Sequence, residues 1–265
     1  MDKETRRLFL GLEMEAPWPL VWPKGRVLGE SDRHVTLNFL GDVSYTAILQ
    51  ILPSIPLPSC ELGPCGYFDA SLELPPNKGR VIAWHINWLG HEVASLQKEL
   101  SQWLHKNGLL EDSREWLSHL SVCRDPANLI EWKEFFQPLP CFTKAIHLYE
   151  SLGFSKYESL WSHPFMPPFK EISHTADIAF HIYGKNIDQL YQHALIALAF
   201  KFPPIVSHAQ WRAQLQGLDD VIILLNETIC RTDYSIGCPF KAVSFHGEIQ
   251  SYETEIILWE MIVDV

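Results

Sequence analysis

The stretch SHPFMPPFKE, residues 162 to 171, sets the first limit on what this chain can fold into. Pro164, Pro167 and Pro168 fall within it. Proline fixes φ and carries no amide hydrogen, so neither a helix nor an interior strand runs through such a segment. The 265 residues are therefore read as two units, 1–166 and 167–265, each obliged to bury a core of its own. Composition permits that, since 47% of the residues are hydrophobic and 20% charged.

Charge narrows the function. Twenty-one basic residues against 32 acidic give a net of −11, with 15 against 20 before residue 167 and 6 against 12 after it. Neither unit is a basic arm, and binding to nucleic acid by bulk attraction is excluded, because that mode needs Lys and Arg to displace condensed counterions. A nucleic-acid end held in a small local site is not excluded. The six cysteines (Cys60, Cys65, Cys123, Cys141, Cys230 and Cys238) form no CxxC pair and no zinc spacing, so free thiols in a reducing compartment are expected. The opening MDKETRRLFLGLEMEAPW has too short an apolar run for a signal peptide, and no stretch approaches the roughly 20 apolar residues of a membrane helix. A cytoplasmic protein with no membrane partner is the expectation.

Strand-like runs dominate the first unit: RRLFLGL (6–12), HVTLNFLGDV (34–43), GRVIAWHINW (79–88) and HLSVCR (119–124). A helix is expected over HEVASLQKELSQWLHKNG, where Val93, Leu96, Leu100, Trp103 and Leu104 recur at helical spacing and Gly108 supplies a stop. FTKAIHLYESLGF and YESLWSH then read as strands flanking a turn near Gly153 to Lys156. On a strand, His34 and Thr36 share one face while Val35 and Leu37 share the other. One such pair reads most simply as the wet face of a sheet. A second copy, His119 with Ser121, weakens that reading. Imidazole both accepts and donates protons near pH 7, and hydroxyls two residues along can donate to non-bridging phosphate oxygens where charge builds. Two such strands facing one cleft suit phosphodiester cleavage or its reversal, with no metal required.

RLFLGL, HVTLNFLGDV, HLSVCR and AIHLYESLGFSKYESL, in that order, resemble the 2H phosphoesterases, specifically the 2′-5′ RNA ligase-like (RNA 2′,3′-cyclic phosphodiesterase) branch. The resemblance spans about residues 6–165. It implies a bilobed α+β fold with two antiparallel sheets and one motif per lobe, acting on RNA or tRNA ends that bear a 2′,3′-cyclic phosphate. It makes His34 and His119 the catalytic pair, with His34 donating to the leaving oxygen and His119 as the base. Thr36 and Ser121 bind phosphate, and Arg124 is a further phosphate contact. The segment EAPWPLV departs from the family in lacking the helix usual there, and Ser121 stands where threonine is commoner.

The second unit reads strand, helix, helix, strand, strand. EISHTADIAFHIYG (171–184) alternates, and NIDQLYQHALIALAF places Ile187, Leu190, Tyr191, Ala194, Leu195 and Leu198 on one helical face behind an N-cap candidate, Asn186. LDDVIILLNETI opens with acidic residues, Asp219 and Asp220, that suit a helix N-terminus. KAVSFHGEIQ and TEIILWEMIVDV would pair as a terminal hairpin. The motifs HTAD and KAVSFH, with the closing IVDV, look like archease over about residues 168–265. That resemblance implies a small α+β domain assisting a GTP-dependent tRNA-splicing ligase. Its metal site for Ca²⁺ or Mg²⁺ maps to Asp177, Asp264 and the main-chain oxygen of Val265, while Lys241 matches a lysine of the functional cluster. Here only TICRTDYSIGCPF joins the LNE helix to the KAV strand, where archeases carry extra strands. The competing expectation for the whole chain is a non-catalytic accessory protein that grips RNA ends and serves the ligase through its second half. His85, His147, His181 and His246 have no hydroxyl partner at strand spacing and are expected to be packed or surface residues.

Overall fold

The computed structural model describes residues 5–58, 61–76, 78, 80–109, 115–175, 177–211, 214–245, 247–253 and 255–265. Its first half runs β1 (Thr5–Glu15), β2 (Arg26–Val27), β3 (His34–Ser44), α1 (Tyr45–Ile51), β4 (Cys65–Leu74), β5 (Val81–Trp88), α2 (Glu92–Lys106), β6 (His119–Arg124), α3 (Leu129–Phe135), β7 (Leu139–Gly153) and β8 (Lys156–Pro164). Every strand expected from the pattern is present. So is the helix, whose Val93, Leu96, Leu100 and Leu104 are buried and which ends before Gly108 at φ +69°.

The two antiparallel sheets implied by the resemblance are not separate. The strand order is β1-β3-β6-β5-β4-β7-β8, and β1 also pairs with β7, so six antiparallel strands close into a ring. The joining element is β4, a strand that the pattern reading passed over. It pairs with β5 along most of its length and with β7 from Cys65 to Phe68. On the opposite side a single residue pair, Val35 with Leu120, links β3 to β6. The ring is thus tight where β4 sits and nearly open at that seam.

Leu8, Leu10, Leu12, Val35, Leu37, Leu120 and Val122 are all buried in the core, where α2 adds its apolar stripe. The proline-rich segment after Met14 forms no helix; instead Trp18 and Trp22 lie on Trp84, at centroid distances of 6.2 and 5.4 Å. The Arg33 guanidinium stands 4.7 Å from each of those two rings. An aromatic layer capped by a cation–π contact covers the core there in place of a helix.

The second half runs β9 (Phe169–Ile172), β10 (Ile178–Gly184), α4 (Ile187–Lys201), α5 (Leu218–Ile236), β11 (Ala242–Val243), β12 (Gln250–Glu253) and β13 (Ile256–Asp264). Its sheet has the order β11-β13-β10-β9, with β12 also on β13. The terminal hairpin is β12 with β13, and the segment TICRTDYSI prolongs α5 rather than forming a loop. Asn186 caps α4, its side chain accepting from the Gln189 amide at 2.9 Å.

The face expected on α4 is buried apart from the half-buried Ile187, but so are His193, Ile196, Ala197 and Ala199. A helix apolar all round has neighbours on all sides. One side meets β10, β13 and α5, while Ile196 and Phe200 pack against Cys65 and Phe142 of the first half. Tyr67 stacks on Trp211 across the same contact, with centroids 4.9 Å apart. Among the described residues no helix is long and apolar enough to cross a membrane, and Cys65, Cys123, Cys141, Cys230 and Cys238 are free thiols. Cys60 and His246 lie outside the described residues.

Candidate active site

Antiparallel register around the Val35–Leu120 pair sets Thr36 across from His119 and His34 across from Ser121. The two H-x-[ST] motifs are therefore related by an approximate two-fold axis through one pair of core residues. Diagonal neighbours on an antiparallel pair stand roughly 7–8 Å apart, which leaves space for one phosphate between the imidazoles. Since only that one pair is bonded, the strands diverge on either side and open a cavity of about 360 Å³. His34, Thr36, His119, Ser121 and Arg124 all line it. The five residues singled out by the motifs are brought together.

Each imidazole is held in the same way. His34 Nδ1–H donates to the Asp32 carbonyl at 3.0 Å, and His119 Nδ1–H donates to the Leu117 carbonyl at 2.9 Å. A carbonyl only accepts, so both neutral rings are fixed in the Nδ1–H tautomer with Nε2 as the free, basic nitrogen. In both cases the acceptor lies two residues upstream, so the chain entering each strand orients the ring that opens it.

The surroundings of the two rings differ. His34 packs against Phe9 at 4.8 Å and Tyr149 at 5.4 Å, and meets Tyr157 edge-on at 4.6 Å. Burial pushes its pKa down to about 4, against the bond to Asp32; the charges of Arg124 and His119 push the same way as burial. The His119 contact to Leu117 is solvent-exposed. Arg124 Nε is buried without a hydrogen-bond partner among the described residues, so a cationic fork lines the cavity uncommitted to any carboxylate there. The Thr36 and Ser121 side chains line the same space.

Several lining residues escaped the motif reading. Asp32 is buried, and its carboxylate receives Lys156 Nζ at 2.6 Å, which ties the start of β8 to the carbonyl that orients His34. Tyr157 follows Lys156 and closes over the ring. Asn38 also lines the cavity, but a bulge between Thr36 and Asn38 sets it opposite Leu10, so the alternation in HVTLNF does not place it there. The described histidines set aside do not line the cavity: His85, the cross-strand neighbour of His119, pairs with Asp69 at 2.6 Å, His147 donates to Glu13 at 3.0 Å, and His181 stands 3.8 Å from Glu260.

In the second half, β10 pairs with β13 from Ile178–Val263 to Gly184–Ile257, so one further step sets Asp177 opposite Asp264. Asp264 Oδ1 accepts from Ser244 at 3.2 Å, and the Val265 main-chain oxygen accepts from Lys241 Nζ at 2.6 Å. Carboxylate and main-chain oxygens are the hard donors that Ca²⁺ and Mg²⁺ take. Among the described residues, however, no three His, Cys, Asp or Glu side chains gather as metal ligands. The donor type fits such an ion, and the side chains supply two ligands at most.

No protein-family model matches the chain, and no curated protein matches it. Among solved structures, E. coli LigT complexed with 3′-AMP is similar at 18% identity over 61% of this chain and 99% of that one, with a TM-score of 0.47. A structure described as a phosphoesterase gives the same identity, coverage and score. A protein of Thermus thermophilus is 14% identical over 60% of this chain and 97% of its own, with a TM-score of 0.46.

Proposed function

We propose that the first half is an RNA-end phosphodiesterase that opens 2′,3′-cyclic phosphates with water, or with a 5′-hydroxyl as a 2′-5′ RNA ligase, with His34 and His119 as the acid–base pair. The observation that supports it most is the matched pair of Nδ1–H to carbonyl bonds, which leaves two basic Nε2 atoms in one cavity with two hydroxyls and a guanidinium. Phosphate oxygens would lie on Thr36, Ser121 and Arg124, where negative charge grows in the transition state. Proton transfer by positioned imidazoles and charge stabilisation by these donors together need no metal ion. The direct test is product analysis by mass spectrometry after incubating the protein, in EDTA, with tRNA halves ending in cyclic phosphate. An added mass of one water on those ends is expected; unaltered ends would end this reading.

The packing around His34 favours the opposite order of roles to the one the resemblance implies. With a pKa near 4, His34 is neutral at pH 7 and enters the reaction as the base toward water. His119, at the exposed contact, is left as the donor to the departing ribose oxygen. The value of kcat/KM is then expected to fall as pH drops toward and below 4, about tenfold per unit once His34 is protonated. A value that stays level well below pH 4 would mean that no group titrating near 4 takes part.

The second half we read as an archease-like module, residues 167–265, assisting a GTP-dependent tRNA-splicing ligase. The facing of Asp177 and Asp264, with Lys241 on Val265, supports it. Hydrolysis by the first half leaves a 2′-phosphate, whereas that ligase needs a 3′-phosphate or cyclic end, so the two halves would share RNA termini without one feeding the other. Millimolar Ca²⁺ is expected to raise the melting temperature, since a ligand of the native state stabilises by mass action. Asp177→Ala should abolish the rise; identical shifts in both proteins would place the ion elsewhere.

A further inference from the structure

The end of the β7–β8 hairpin does more than border the cavity. Strand β1 pairs with β7 no further than Glu150, so the stretch from Ser151 to Tyr157 runs on beyond the ring of strands. Gly153, Phe154 and Ser155 at its tip all have positive φ, of 87°, 50° and 62°. Two of the three carry side chains, and such a backbone persists only where its surroundings hold it. Contacts on both sides of the β3–β6 seam do so. Arg26, which stands opposite Arg124 of β6, donates to the Phe154 carbonyl at 3.2 Å and to Ser155 Oγ at 3.4 Å. Lys156 Nζ donates at 2.6 Å to Asp32 Oδ2, in the turn that leads into β3.

The two holds are unequal. The Arg26 contacts are exposed, and exposed pairs contribute little. Asp32 is 4% exposed, and removing the partner of a buried carboxylate leaves an uncompensated charge, a far larger penalty. The turn around Asp32 is short and bonded within itself. The Asp32 amide donates to the Gly29 carbonyl at 2.9 Å, the Arg33 amide to the Glu30 carbonyl at 3.1 Å, and Arg33 Nε to the Leu28 carbonyl at 3.0 Å. A pull on the Asp32 side chain therefore moves its main chain, whose carbonyl receives His34 Nδ1–H. On the other side of the pair, Tyr157 follows Lys156 and packs edge-on against both His34, at 4.6 Å, and Phe9, at 5.4 Å. One ion pair thus governs both the hydrogen bond that orients the imidazole and the aromatic ring that keeps water from it.

We infer that Lys156 is a positioning residue for His34: its bond to Asp32 clamps the hairpin tip beside the seam and holds the imidazole in one tautomer under the cover of Tyr157. Its part in turnover rests on the phosphodiesterase reading above, whereas its hold on the ring does not. The charged and titratable groups facing His34 are Asp32 before it, Glu13 opposite it on β1, His119 and Arg124 on β6, Tyr149 on β7 and Tyr157 on β8. The test is NMR titration of the His34 ring nitrogens in the wild type, Lys156→Met and Lys156→Arg. The Lys156 side chain is 69% exposed, so methionine there leaves the core intact. In Lys156→Met, water on the ring and the unpaired Asp32 carboxylate both favour imidazolium. The midpoint is expected to rise by about one pH unit or more, and the Nδ1–H tautomer to lose its dominance. Lys156→Arg, which keeps charge and reach, should restore both. In turnover of a cyclic-phosphate-ended oligonucleotide, Lys156→Met should lower kcat about tenfold with KM little changed. An unmoved midpoint and tautomer in Lys156→Met would overturn the inference, as would an arginine variant no better than the methionine one. A moved titration with kcat unchanged would refute the role in turnover. Should the wild type turn over no cyclic phosphate, the phosphodiesterase reading fails by itself, and the titration alone decides the hold on His34.

Discussion

Replacing either cleft histidine by alanine is expected to lower kcat on a cyclic-phosphate-ended oligonucleotide by about 10²–10⁴-fold, the usual worth of one positioned acid or base. The argument is geometric. His34 and His119 line one cavity at the Val35–Leu120 seam, each with Nδ1 committed to a carbonyl, which leaves Nε2 free. Groups that act as a unit lose their benefit together, so the double variant should be little slower than the worse single one. Because Thr36, Ser121 and Arg124 still line the cavity, KM should change far less than kcat. The measurement is steady-state kinetics in EDTA, with circular dichroism showing that the variants fold. Rates within twofold or so of wild type would remove both histidines from the mechanism, given what a catalytic imidazole contributes.

The second large effect concerns stability in acid, and it comes from a residue the motifs did not flag. His193 on α4 is 2% exposed, and its Nδ1–H donates to the Tyr183 carbonyl at 2.6 Å. Burial pushes its pKa down to about 4, despite that bond. The unfolded chain takes up the proton first, near pH 6.5, so stability is intact above that value and falls as pH drops toward 4. The loss at pH 4 should be about 3 kcal/mol from this one group. His34 titrates in the same direction within the other half. Urea unfolding at pH 7 and about pH 4.5, inside that window, checks this, with His193→Asn expected to flatten most of the decline seen by a probe of the second half. An equally steep decline in that variant would assign the acid sensitivity to other groups.

The sequence was most legible where burial is one-sided. In the strands of HVTLNF and HLSVCR, polar and apolar residues alternate, so period two shows both the strand and the face that carries His34, Thr36, His119 and Ser121. The helical stripe of α2 was legible for the same reason. Closure of the sheet was not, because β4 mixes buried Cys65 and Phe68 with half-exposed positions and follows neither pattern cleanly. The second layer of the site was also hidden. Lys156 reaches Asp32, and Tyr157 reaches His34, across more than a hundred residues of chain, which no local spacing encodes. The burial of Ile196 on α4 reflects neighbours in the other half, and a single helical face cannot announce a second partner.

That helix has a consequence for how the molecule can be divided. Ile196 and Phe200 finish the packing of Cys65 and Phe142, so cutting at the prolines would lay bare a greasy surface on each fragment. Two polypeptides expressed separately would be sticky and prone to find one another. The linkage works less like a tether between beads than like a party wall, whose removal damages both houses.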